Sequence, residues 1–115
     1  MTAYLVVRME ITDFEPYREY MKHTPRVIAQ YGGRFVARGG TVETLEAPAE
    51  ARRMVILGFP SADQARAFYT SPEYAAVKRL RADVSRAEVI LIEGYDEADW
   101  PGILAASQAL TPPTP

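Results

Sequence analysis

The residues able to do chemistry in this chain are Tyr17, Tyr20, His23, Arg38, Glu46, Tyr69, Tyr74, Arg81 and Glu93. A phenol pairs an apolar ring with a hydroxyl, so it can wall a pocket and still hold a polar atom. The only histidine, His23, titrates near neutrality and can act as acid, base or ligand. Arginine suits an anionic oxygen because its planar fork donates two parallel hydrogen bonds. The strand-ending Glu46 and Glu93 are expected in ion pairs with Arg38, Arg81 or another arginine. No Ser-His-Asp set is expected, because GxSxG is absent and His23 has no evident nucleophile beside it. No metal site is expected either, with one histidine, no cysteine and no acids at ligand spacing.

The glycine pairs of YGGRFVARGG invite a phosphate reading, which the spacing rejects. Five residues separate Gly33 from Gly39, and no Lys follows Gly40, so this is no P-loop. A dinucleotide fingerprint would open a helix, whereas RFVAR alternates like a strand. The pairs therefore punctuate: Gly32 as a left-handed helix cap, Gly39-Gly40 as a bend.

The elements that must position these residues follow from periodicity. Residues 3–11 read as a first strand. Asp13 then caps a helix bearing Phe14, Tyr17, Met21, Thr24, Ile28 and Tyr31 at spacings of three and four. Pro25 lies inside that helix and frees the carbonyl of Met21, which predicts a kink near residues 22–24. Extended runs follow at 34–38, 41–46 and 53–59. Ser61 with Gln64 opens a short helix, Ser71-Pro72 opens another, and 88–93 is the last strand. The order β-α-β-β-α-β predicts an α+β fold, a ferredoxin-like sandwich with helices on one face of an antiparallel sheet. Residues 1–95 form this domain; 96–115 form a tail with a short helix at 103–110 and a disordered TPPTP end.

Two strands are apolar on both faces. Met54 and Ile56 back onto Val55, Leu57 and Phe59, and Ile90 and Ile92 back onto Val89 and Leu91. Helices cover one side only, so the other side, with Val6, needs a second layer. A second copy of the chain supplies it most simply.

Composition narrows the class. At 48% hydrophobic and 24% charged residues the chain is an ordinary globular domain, and a net charge of −2 gives no footprint for nucleic acid or anionic membrane. The N-terminal apolar run is too short for a signal or a span, so the expected location is the cytoplasm.

The motifs Tyr4-Leu5-Val6, Asp13 with Tyr17 and Tyr20, Tyr31-Gly32-Gly33-Arg34-Phe35 and Arg38-Gly39-Gly40 run along the chain. They continue with Leu45-Glu46, Phe59-Pro60-Ser61, Phe68-Tyr69, Ser71-Pro72-Glu73-Tyr74, Arg81 and Ile92-Glu93-Gly94. With this set the sequence resembles the family called domain of unknown function 1330, within the dimeric α/β-barrel superfamily. Where that family often has Glu-Gly, this chain has Glu46-Ala47-Pro48. The resemblance implies a homodimer whose sheets pack into a barrel, and it brings no established reaction.

Two classes of function stay open. Superfamily relatives include monooxygenases, isomerases and haem-degrading proteins, which implies a small enzyme working without a cofactor on a small apolar or aromatic molecule. Tyr20 and His23 near Pro25 are then the catalytic candidates, with Tyr17, Arg38, Tyr69 and Arg81 binding the ligand. Haem is not expected, with His23 the sole imidazole. The alternative is a non-catalytic ligand-binding or dimerisation module, with the tyrosines packed in the core and His23 turned to water. A cavity of about 300 Å3 or more, lined by Tyr20 or His23, would favour processing of a ligand.

Overall fold

Alternation and capping produce the elements seen in the computed structural model, which describes residues 2–110. Strand β1 (Ala3–Ile11) buries Ala3, Leu5, Val7 and Met9 and turns Tyr4, Val6 and Arg8 the other way. Helix α1 (Phe14–Gln30) starts where Asp13 accepts the Glu15 amide, and it runs unbroken through Pro25. Its end is closed by Gly32, at φ +78°, with amide bonds from Gly32 to Ala29 and from Gly33 to Ile28. The left-handed cap expected at Gly32 is therefore present.

Strands β2 (Arg34–Arg38) and β3 (Arg53–Phe59) pair antiparallel, with a bulge between Phe35 and Ala37. Gly39, at φ +61°, then turns the chain out of the sheet. The extended run expected at 41–46 does not form a strand. These residues are exposed and irregular, and no neighbouring strand offers their backbone a ladder. Within this excursion Ala47 takes φ +80°. Helix α2 (Ala62–Tyr69) and helix α3 (Pro72–Ala82) start at Ser61 and Ser71, whose hydroxyls accept the Gln64 and Tyr74 amides. Strand β4 (Ser85–Glu93) begins three residues earlier than the apolar run, because β1 is long enough to pair Met9 with Ala87 and Ile11 with Ser85.

The sheet order is β2-β3-β1-β4, all antiparallel, with α1, α2 and α3 on one face. This is the ferredoxin-like α+β arrangement. Leu5 lies opposite Leu57 and Leu91, and Val7 opposite Val55 and Val89. These side chains and Phe59, Phe68, Val27, Ile28 and Val77 form the core. On the uncovered face Val6 lies between Ile56 and Ile90, with Ile90 and Ile92 half exposed at 50% and 54%. At one end of that face Arg8 and Arg52 pair with Glu50 and Glu88. Within the single chain the sheet is open and does not close into a barrel.

After β4 a turn at Glu97–Asp99 leads into helix α4 (Trp100–Gln108), which starts ahead of the expected 103. The TPPTP end lies outside the described residues. Among the described residues no helix is long and apolar enough to cross a membrane.

Candidate functional site

Between α1 and the sheet lies a partly enclosed cavity of about 40 Å3. Core residues from each layer wall it: Leu5 and Val7 of β1, Val55 and Leu57 of β3, Ile28 of α1 and Phe68 of α2. Its polar lining comes from Tyr17, Tyr20, Thr24, Arg38, Arg53, Tyr69 and Tyr74. A water needs roughly 10–15 Å3 of such space, so the cavity has room for about three waters or a ligand of a few heavy atoms. It falls short of the about 300 Å3 expected of a pocket for a drug-sized substrate.

Tyr20 and Tyr74 meet at its wall, their hydroxyl oxygens 2.8 Å apart. Behind them is Arg81, only 4% exposed, whose Nη2 donates to the Tyr74 hydroxyl at 3.3 Å. Its Nη1 donates to Ser85 at 3.4 Å, and its Cζ sits 5.4 Å from the Tyr20 ring centre. The Arg81 Nε is buried without a partner, and among the described residues no carboxylate pairs with this guanidinium. Burial works against the Arg81 charge, but the oxygens of Tyr74 and Tyr20 outweigh it and hold its pKa above the ordinary value. Burial, reinforced by the Tyr74 oxygen, raises the pKa of the Tyr20 phenol well above its usual range.

Arg38 and Arg53 lie on the cavity's lining. Arg38 donates through Nη2 to the Met21 carbonyl at 3.0 Å, the acceptor that Pro25 leaves without its helical amide. An arginine thus satisfies the freed carbonyl and is itself anchored to α1. The Arg38 Cζ also stacks 4.4 Å from the Phe35 ring centre. Arg53 lies 5.7 Å over the Tyr17 ring, and its Nε is buried with no partner.

The structure therefore brings Tyr17, Tyr20, Arg38 and Tyr69 to one cavity, with Arg81 directly behind Tyr20. It does not bring His23 there. His23 faces an open groove between α1 and α3, where Arg26 donates to its Nδ1 at 2.6 Å and Glu19 lies 3.8 Å from its Nε2. On the helical wheel His23 stands about 200° from Met21 and about 100° from Thr24, which turns it away from the cavity. The ion pairs expected of Glu46 and Glu93 with Arg38, Arg81 or another arginine are absent among the described residues, and both carboxylates are exposed. Arg53 stands outside the expected set. The signal for it is its alternation with Val55 and Leu57, which places a charge on the helix-covered face of β3. Among the described residues no group of three or more His, Cys, Asp or Glu is placed to hold a metal ion.

The family model described as Domain of unknown function (DUF1330) matches residues 2–95. No protein of curated function matches the chain. Among solved structures, it is similar to a protein of unknown function from Rhodopseudomonas palustris, at 17% identity and a TM-score of 0.67, covering 83% of each chain. It is also similar to SnoaB, a cofactor-independent oxygenase from Streptomyces nogalater, at 15% identity and a TM-score of 0.57, over 83% of this chain and 94% of that one. A dimeric ferredoxin-like protein of unknown function from Jannaschia sp. CCS1 aligns at 14% identity and a TM-score of 0.56, over 82% and 100%. At such identities the likeness is one of fold.

Proposed function

The chain belongs to this family of unknown function, and from that premise we propose that it is a homodimer which takes up a small molecule between its helices and its sheet. The observation that carries the reading is the Tyr20–Tyr74 hydroxyl pair on an apolar cavity wall, backed by a buried Arg81 that faces no carboxylate. Burying a guanidinium without a carboxylate is costly and is here offset by the Tyr74 and Ser85 hydroxyls, whereas packing alone would be served as well by an apolar side chain. The arrangement makes sense as a polar contact held ready for a ligand. The cavity's size favours binding of a small ligand over processing of a large planar one.

The partner half of the proposal rests on the uncovered sheet face. Val6, Ile56, Ile90 and Ile92 form an apolar patch on a strand face with no helix over it. Soluble monomers rarely leave such a patch to water. A second copy, sheet against sheet, is the simplest cover, and the Jannaschia protein of the same fold is described as dimeric.

A turnover reading is favoured by one feature. Tyr20 and Tyr74 set two phenol hydroxyls 2.8 Å apart with the Arg81 guanidinium behind them, and fixed donors of this kind can meet a developing oxyanion. SnoaB, of the same fold, is described as a cofactor-independent oxygenase. In this reading Tyr20 is the catalytic candidate and Tyr17 and Tyr69 position the ligand.

A thermal-shift screen of small molecules on the wild-type chain and on Tyr20→Phe tests the proposal, since a ligand that binds only the folded form raises its melting temperature. The expected result is a hit whose shift is reduced in Tyr20→Phe. Hits whose shifts are the same in both proteins would place the ligand elsewhere.

A further inference from the structure

The cavity is positively charged in a chain whose net charge is −2. Arg38 and Arg53 are on its lining, Arg81 is behind it, and no Asp or Glu lines it. None of the three forms an ion pair among the described residues, while Arg8, Arg18, Arg52 and Arg66 all do. Arg38 is the exposed member of the lining and Arg53 is half-buried, so the cationic part of the wall reaches solvent while the apolar part lies deeper.

From this placement we infer that the ligand is a small monocarboxylate, its carboxylate held by Arg38 and Arg53 and its apolar end against Val7, Val55 and Phe68. The inference rests on the small-molecule reading above and names the chemical class. Arg53 is held ready for this. Among the described residues its guanidinium makes no side-chain hydrogen bond and no ion pair, so an arriving carboxylate supplies acceptors without displacing an existing partner. Gly39 is part of the same construction. A Cβ on Gly39 would lie 2.3 Å from the Arg53 Nη1, so the absence of a side chain there leaves the guanidinium its place. Arg38 is fixed by its bond to the Met21 carbonyl and its stack on Phe35, with its remaining N–H groups free of any ion pair. A planar carboxylate matches the planar fork of a guanidinium, and an amide of the same shape does not carry the charge. The cavity's room for a few heavy atoms fits a short acid.

Propionate and butyrate, each paired with its isosteric amide, are the probes. They are titrated into the full-length wild-type chain, and the arginine Nε–H resonances and backbone amides are followed by NMR. The expected result is that a carboxylate shifts the Arg53 Nε–H resonance and binds at least about tenfold more tightly than its amide, the ratio one charge-assisted hydrogen bond supports. Arg53→Met and Arg38→Met should each remove that preference, and Arg53→Lys, which keeps the charge in the same strand, should keep part of it. Should Arg53→Met fail to fold, Arg38→Met and Arg53→Lys read the same preference. Equal binding of acid and amide overturns the carboxylate inference and leaves the small-molecule reading standing. Binding of neither member of either pair overturns the carboxylate inference, and the thermal-shift screen then decides the small-molecule reading by itself.

Discussion

Burial and the neighbouring Tyr74 oxygen raise the pKa of the Tyr20 phenol in the folded chain. A proton held more tightly in the folded state than in the unfolded one favours folding below the unfolded pKa, about 10 for tyrosine. That contribution is lost as the pH rises above it, because the unfolded phenol ionises first. Urea denaturation should therefore show stability falling above about pH 10, with a smaller fall in Tyr20→Phe. An equal fall in both proteins would remove Tyr20 as the cause. Arg81 gives a second expectation at this scale. With no carboxylate to strand, Arg81→Met should change stability by no more than about 1 kcal/mol, since it removes a buried charge along with two long hydrogen bonds. Loss of the folded state on this substitution would assign Arg81 to the framework. The tyrosines and Arg38 were legible in the sequence because their residue types suggest pockets. Arg53 was not, because a strand-edge arginine is usually solvated. Only its parity with Val55 and Leu57 places it on the covered face.

Among the elements, two glycines separate framework from site. Gly32→Ala forces a positive φ on a residue with a Cβ and should cost about 1 kcal/mol while leaving ligand affinity unchanged. The added Cβ would meet only Pro60 and Gln64 at ordinary distances. Gly39→Ala carries the same conformational cost and also drives a Cβ into the Arg53 guanidinium, so it should weaken carboxylate binding as well. Denaturation curves and the propionate titration, run on both variants, check the contrast. Ala47 offers the reverse experiment. At φ +80° it holds a conformation that costs an L-residue about 1–2 kcal/mol, so Ala47→Gly should stabilise the chain by up to about 1 kcal/mol after the glycine's own entropy. Strands, caps and helix faces were readable because each rests on local periodicity or a single capping hydroxyl. The 41–46 run read as a strand because Thr and Val favour extended backbone. Whether a strand forms there depends on a neighbouring ladder, and that is settled by the path of the whole chain after Gly39.

For the whole molecule, the sheet divides the work. One face lies under the helices and bounds the cavity, and the other is apolar and uncovered in the single chain. That second face was readable from strands apolar on both sides. The cavity's size was not, because it depends on how far α1 stands off the sheet. This division is expected to hold in solution, with a second copy over the uncovered face. Methyl-resolved NMR with a soluble paramagnetic agent tests it directly, because the agent broadens methyl groups that water reaches. Ile90 and Ile92, half exposed in the single chain at 50% and 54%, should be protected almost as well as buried Val7, while Leu45, 88% exposed, is broadened. Ile90 and Ile92 methyls broadened as their single-chain exposure dictates would contradict the claim.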